Sequence, residues 1–439
     1  MANDGQGSAG PSFSQPGGSF PDPASPGGNP DGFGGFASNE AAGEGSFTQT
    51  THVSWGQKLM ESIVGVGIGF LMVFAMGVLL FWNEGRAVRT EKSLSEGASV
   101  VVRADAGRID PANEGKLVYV QGDLSAPDAV ADSALGIRAK AARLVRHVEM
   151  YQWKEESRTE TKKNLGGSEE RTTTYTYSRV WSDRRIDSSR FHDQGGRQNP
   201  QMRFSAFEAT AADATLGAFR PGAQALGRLP ANEAKPIPAD AAATLAQNAG
   251  LGPTQVVDGA LYLGQNPADP RVGDLRITYK IAPLGPASFI GRQSGSDLQE
   301  YQTKAGDRLL LASTGKVAPE AMFAQAEAEN RMITWLLRLV GTIFMFVGFL
   351  LILRPLAVLG DVVPFIGSIL GAGTALAALA LTMVAAPLVI ALAWFFFRPL
   401  VSVLVLAVGA AAVYGLGVLA RKRREAKGGV FAPGTAPVG

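Results

Sequence analysis

The chain has 439 residues, with 41 Lys and Arg against 39 Asp and Glu, a formal net charge of +2, and no cysteine. That balance offers no basic field for nucleic acid, and the missing thiols exclude disulfides, thiol catalysis, iron–sulfur clusters and Cys-based zinc sites. The apolar residues are gathered into one early segment and three late ones around a long polar, β-patterned stretch. A bilayer core takes about 20 apolar residues of helix, so the expected class is an α+β membrane protein: four transmembrane helices plus a large β-rich extramembrane domain inserted between spans 1 and 2.

Residues 1–57 read as a disordered Gly/Ser/Pro-rich acidic tail. The first 50 carry no Lys or Arg and too little apolar surface to offset chain entropy. Trp55 suits an interfacial position. The first span covers residues 58–82. Its Gly65 and Gly69 have the small-xxx-small spacing that lets helices approach closely, and Gly367 and Gly371 repeat it later. Asn83-Glu84-Gly85-Arg86 and its near copy Asn113-Glu114-Gly115-Lys116 have the composition of turns; a lipid- or partner-contacting pair is the sharper alternative.

From 83 to 317 the pattern is mostly period two, as in strands. The runs are Ser99–Arg103, Leu117–Asp123, Leu144–Lys154, Thr172–Trp181, Leu275–Ile281, Ala287–Gln293 and Arg308–Ala312. Leu144–Lys154 and Thr172–Trp181 suggest a long hairpin with a charged tip. The Ala-rich stretch Ala206–Asn248 reads as helices and loops, with a helix near Ala239–Gln247. Pro319 is a favoured first-turn residue, and a helix over 318–353 runs from the domain into span two. Arg354-Pro355 ends it. Residues 361–397 hold an interfacial piece and span three, 399–420 form span four, and 421–439 a basic tail.

An even span count puts both termini on one side, and Arg421-Lys422-Arg423-Arg424 makes that side cytoplasmic. The large domain is then non-cytoplasmic. Span one alone argues the reverse, since Lys58 precedes it while Arg86, Arg89 and Lys92 follow. If 361–397 only dips into the membrane, three spans result and the domain turns to the cytoplasm.

No catalytic, cofactor or metal constellation is present. His147 lies beside Glu149 on one strand face; the pair suits a cross-strand ion pair better than acid–base work. There is no Walker loop, no Gly-x-Ser-x-Gly and no His-Glu-x-x-His. Arg338 near the start of span two can snorkel, and the scarcity of intramembrane charge argues against a pump.

Several runs resemble the transmembrane protein 43 family, also called LUMA. They are Asn83–Ala87, Ser93–Gly97, Asn113–Val118, Arg146-His147-Val148-Glu149-Met150-Tyr151-Gln152-Trp153, Asn199-Pro200, Val272–Arg276, Thr303–Leu311 and Phe397–Leu400. The resemblance implies a four-pass protein with a large lumenal domain that organises membrane complexes, in animals at the endoplasmic reticulum and inner nuclear membrane. The Ala/Gly/Arg-rich composition suggests a bacterial member in the inner membrane, with a periplasmic domain. Asn113, Glu114, His147, Glu149, Tyr151 and Trp153 become the candidate family-motif surface.

The expected function is therefore a non-enzymatic multi-pass scaffold. It packs and oligomerises through Gly65/Gly69 and Gly367/Gly371, and contacts the lipid bilayer and envelope or membrane proteins through its domain, the Lys162–Glu170 tip included. The alternative is a channel or transport component coupled to the bundle. A hydrolase using His147 and Glu149 comes third.

Overall fold

The structure is a computed structural model that describes residues 45–400 and scattered positions from 402 to 418. The acidic tail up to residue 44, more than half of the expected span four and the basic tail lie outside the described residues. The described residues form five helices: α1 (Trp55–Val100), α2 (Ala223–Leu226), α3 (Ala241–Asn248), α4 (Pro319–Gly360) and α5 (Pro364–Phe397). Among the described residues, three helices are long and apolar enough to cross a membrane: Trp55–Val100, Pro319–Gly360 and Phe365–Phe397.

Two sheets build the domain. The larger holds β1 (Ser46–Val53), β6 (Ala141–Lys163), β7 (Glu169–Ser182), β8 (Phe207–Thr210), β10 (Glu233–Ala234), β11 (Thr254–Val257), β12 (Ala260–Leu263) and β13 (Leu275–Pro283). Its main path runs β1-β7-β6-β13-β12-β11. The second holds β2 (Val102–Asp105), β3 (Leu117–Ser125), β9 (Thr215–Leu216), β14 (Gly285–Ser294), β15 (Asp297–Gln299) and β18 (Leu311–Thr314). Two short ribbons complete the set: β4 (Val130–Asp132) with β5 (Ile137–Ala139), and β16 (Tyr301–Gln302) with β17 (Arg308–Leu309).

Strand alternation decides what each face does. On β3, Val118, Val120 and Leu124 face the main core, where Leu144, Val148 and Met150 of β6 and Ile277 and Tyr279 of β13 meet them. Leu117 and Tyr119, on the opposite face, pack with Ile290, Leu309, Leu94 of α1, and Met322 and Phe323 of α4. One sheet thus seals the domain core on one side and seats the helices on the other. A Cβ on Gly97 would lie 2.5 Å from Leu309 Cδ1, so that seat has no spare room.

Five sequence expectations change. Residues 46–53 are not tail: their Thr/Phe/Val alternation suits a strand, and they pair with β7 from Ser46↔Thr176 to Val53↔Glu169. The residues before α1 therefore share a sheet with the domain after it. Asn83–Arg86 is helical, because its polar groups find partners on neighbouring helices. Arg354-Pro355 does not end α4, which continues to Gly360; such prolines are tolerated in membrane helices. Finally, α5 is one helix with Pro364 in its first turn, so no separate interfacial piece precedes it. Ser99 and Val100 also belong to α1, and the following strand starts at Val102.

Between α1 and α4 the small residues interlock. A Cβ on Gly69 would sit 2.6 Å from the Gly348 carbonyl oxygen, and one on Gly348 would sit 2.8 Å from Val73 Cγ2. Around this seam Ile63, Phe70, Leu71, Phe74, Leu336, Leu339, Leu379 and Leu388 are exposed. An apolar belt on all three helices is what lipid requires.

Candidate functional site

Towards the domain the exposed apolar side chains run out at Trp82 on α1, at Met332 on α4 and at Phe396 on α5. A buried polar cluster lies at this border. Asn83 Nδ2 donates to the Thr334 carbonyl at 3.1 Å. Arg338 donates through Nε and Nη2 to both carboxylate oxygens of Glu84, at 2.6 and 2.8 Å. The Trp394 indole N–H donates to the same carboxylate at 2.9 Å. Arg86 reaches Asn330 Oδ1 and Thr334 Oγ1, both at 3.0 Å, and Asn330 Nδ2 returns a bond to the Ala87 carbonyl. Glu84 is only 1% exposed.

Each residue has a defined task. Glu84 is tied to α4 and α5 together, so it locks three helices. At Gly85 a Cβ would lie 2.7 Å from the Phe397 ring, so glycine lets α5 close on α1. Asn330, Thr334 and Arg338 recur every four residues and present one face of α4 to α1. Arg338 does not snorkel; it is held by Glu84. A cavity of about 450 Å³ opens beside the cluster, with Arg331, Glu327, Glu91 and Arg398 towards solvent. Arg398 pairs with Glu91, and Arg331 lies 3.8 Å from Glu327.

A second polar cluster sits at the other end of the same helices. The β6–β7 hairpin and β1 form a three-stranded arm. Its tip brings Lys163 and Glu169 to Lys58 of α1 and Asp361 after α4. Lys58 Nζ lies 2.6 Å from both Glu169 and Asp361, and Lys163 Nζ lies 2.6 Å from Asp361. The Gly166 amide donates to the Val362 carbonyl, and the Trp55 indole to the Val358 carbonyl. Burial works to raise the Asp361 carboxyl, but Lys163 and Lys58 outweigh it and hold the group below its ordinary range. The tip is thus docked on the bundle rather than free.

The arm bridges both ends of α1. From Met150 in the core to Lys163 it reaches about 43 Å. Side chains that point away from the helices include Glu156, Arg158 and Glu160, at 65%, 84% and 72% exposure. From Lys154 to Lys163 the β6 edge opposite β7 has no strand partner among the described residues. Lipid cannot satisfy an open edge, and each charge at the bilayer centre costs about 3 kcal/mol or more.

The octapeptide at Arg146 divides by parity. His147, Glu149, Tyr151 and Trp153 lie on the outer face of the large sheet. Glu149 pairs with Arg276 across the strands at 2.7 Å, Tyr151 lies against Trp181, and Arg179 and Arg197 stack over Trp153. His147 is exposed opposite Thr278. The buried set is Arg146, Val148, Met150 and Gln152. Arg146 pairs with fully buried Asp132, which also accepts from Tyr279 Oη at 2.7 Å. Burial, and then the Asp132 carboxylate, push the Tyr279 hydroxyl far above its ordinary pKa.

Asn113 is buried in a short 3-10 turn and Glu114 accepts from the Gly295 amide. Gly115 has φ of +76°, so here the turn reading describes the backbone. Among the glycines, Gly69 meets α4, Gly65 approaches only Leu351 at 3.9 Å, Gly367 packs on its own Asp361, and Gly371 has nothing within 4 Å. The sequence does not single out Asp132, Tyr279, Asp361 or Trp394, and it shows Glu84 only within the turn-like run Asn83–Arg86. Only the four-residue spacing of Asn330, Thr334 and Arg338 signalled a partner.

A family model described as Transmembrane protein 43 matches residues 150–399. Against Transmembrane protein 43 of Homo sapiens the chain is 33% identical over 366 residues, covering 80% of this chain and 88% of that protein. For the Mus musculus protein the figures are 32% over 385 residues, 84% and 93%. For the Drosophila melanogaster homolog they are 28% over 357 residues, 78% and 91%. No solved structure matches the chain. With apolar helices, a sheet-rich domain and this similarity over most of its length, the chain belongs to the transmembrane protein 43 family.

Proposed function

We propose that this chain is a non-enzymatic membrane scaffold whose domain and arm hold other membrane proteins against the bundle. The observation that carries this reading is the arm. It stands between the two ends of α1 with a charged outer face and an open strand edge, a surface that lipid covers only at great cost. Protein covers such an edge by strand addition. The partner is a membrane or envelope protein, a second copy of the chain included. The clamp at both ends of α1 supports the same reading, because it fixes the arm's position relative to the membrane.

The chain's lack of cysteine makes the test clean. Glu160→Cys on the β6 edge, in native membranes with a short thiol-reactive crosslinker, should give covalent protein adducts. Gln247→Cys, exposed on α3, should give none. If the thiol introduced by Glu160→Cys is freely modified by an impermeant reagent and yields no adduct, the arm stands in water and the scaffold reading falls.

A further inference from the structure

The cavity beside Glu84 lies where all three helices change from apolar to charged, which is the depth of phospholipid headgroups. Trp82 and Trp335 are 55% and 65% exposed at this level, as indoles of an interfacial belt are. Its volume of about 450 Å³ falls within the range of small-ligand sites.

The wall charges state what fits. Three arginines and three glutamates line the cavity. Glu84 and Arg338 neutralise each other in a buried bidentate pair, which leaves Arg331, Arg398, Glu91 and Glu327. These four are solvent-accessible, at 68%, 33%, 52% and 40%. Exposed ion pairs are held by little energy, so both can open to a ligand. A purely anionic ligand would take the arginines and leave two carboxylates facing it. A purely cationic ligand would do the reverse. A molecule with one phosphate and one ammonium answers both sets. The phosphate receives the guanidinium N–H groups of Arg331 and Arg398, and the ammonium donates to Glu91 and Glu327. The exposed indole of Trp335 borders the lipid and suits the glycerol and upper acyl region.

We infer that this cavity is a binding site for the headgroup of a zwitterionic phospholipid with a primary ammonium, of the phosphatidylethanolamine class. Carboxylates favour a primary ammonium because it supplies three N–H donors; a quaternary one supplies none. The site belongs to the bundle, and it does not depend on what covers the arm.

The test uses the full chain in detergent micelles, titrated with short-chain phosphatidylethanolamine, phosphatidylcholine and phosphatidylglycerol, with adducts counted by native mass spectrometry. The expected result is one saturable phosphatidylethanolamine adduct, held about tenfold tighter than the other two lipids. Arg331→Gln with Arg398→Gln should weaken it about tenfold. Arg308→Gln, on β17 in the domain, should leave it unchanged. Arg331 and Arg398 are partly exposed, and an unchanged melting temperature would show that the variant is folded. Equal or tighter phosphatidylglycerol binding would overturn the assignment, as would displacement by inorganic phosphate alone at the same concentration as the lipid. Retention of the adduct in the double variant would overturn it too.

Discussion

Arg338 of α4 grips Glu84 of α1 through two guanidinium nitrogens, at 2.6 and 2.8 Å. The pair lies at the border of the apolar belt with the carboxylate almost fully buried. Removing one member of a buried pair strands the other charge, at a cost of about 3–5 kcal/mol. Arg338→Gln and Glu84→Gln should each lower the melting temperature sharply in detergent. The double change Glu84→Gln, Arg338→Gln should lose much less than the sum, because it strands no charge. Strictly additive losses would show that the two side chains act independently.

The buried triad of Asp132, Arg146 and Tyr279 should behave in the same way within the domain. Asp132→Ala leaves the Arg146 guanidinium unpaired and should cost about 3–5 kcal/mol, whereas Tyr279→Phe removes one hydrogen bond and should cost about 1–3 kcal/mol. His147→Ala, one residue along on the exposed face, should change stability by no more than about 0.5 kcal/mol. Denaturant unfolding of the three variants would decide it. A large loss at His147 would show that the outer face carries structural load.

These two clusters show how far the sequence could be read. Period-two alternation placed Leu117–Asp123, Leu144–Lys154, Thr172–Trp181 and Leu275–Ile281 in strands, and the continuity of Pro319 with the apolar run showed α4 passing from domain to membrane. Such signals are local. Asp132 and Tyr279 are 147 residues apart and Glu84 and Trp394 are 310 apart, and nothing in a linear pattern joins them. Asn83-Glu84-Gly85-Arg86 was legible as polar and Gly-containing, which describes a turn and a crowded helix junction equally well. Composition chose the turn; packing against Phe397 and Arg338 chose the helix. The strand at Ser46–Val53 was hidden for a similar reason. Its pattern is short, it follows a long Gly-rich stretch, and its partner lies beyond a whole membrane helix.

The two small-residue pairs should part company under substitution. At Gly69 an added Cβ meets the Gly348 carbonyl oxygen at 2.6 Å, so Gly69→Ala must push α1 and α4 apart and should cost about 1–3 kcal/mol. Nothing lies within 4 Å of the Cβ position at Gly371. Gly371→Ala should therefore be neutral, or stabilise by up to about 1 kcal/mol through helix propensity. Thermal unfolding of both variants in one detergent compares them directly. If Gly371→Ala instead abolishes a self-association seen in the unaltered chain, that face of α5 meets another copy.

The arm's tip should release only in acid. Asp361 is held below its ordinary value of 3.8 by Lys163 and Lys58, against the opposing effect of burial. A carboxyl whose folded value is depressed adds stability that is complete above its unfolded value. That contribution is lost as pH falls through the lower folded value. From neutral pH down to about 4 the tip should therefore stay docked, and below that Lys58 and Lys163 lose their acceptor. The Gly166 amide, bonded to the Val362 carbonyl at 3.1 Å, reports the state directly. Its hydrogen exchange, corrected for the intrinsic pH dependence, should stay slow until the acid step and then rise. In Asp361→Asn the two lysines lose their shared negative partner, so the same amide should exchange fast already at neutral pH. Slow exchange at pH 7 in that variant would mean that Glu169 and the backbone bonds hold the tip without Asp361.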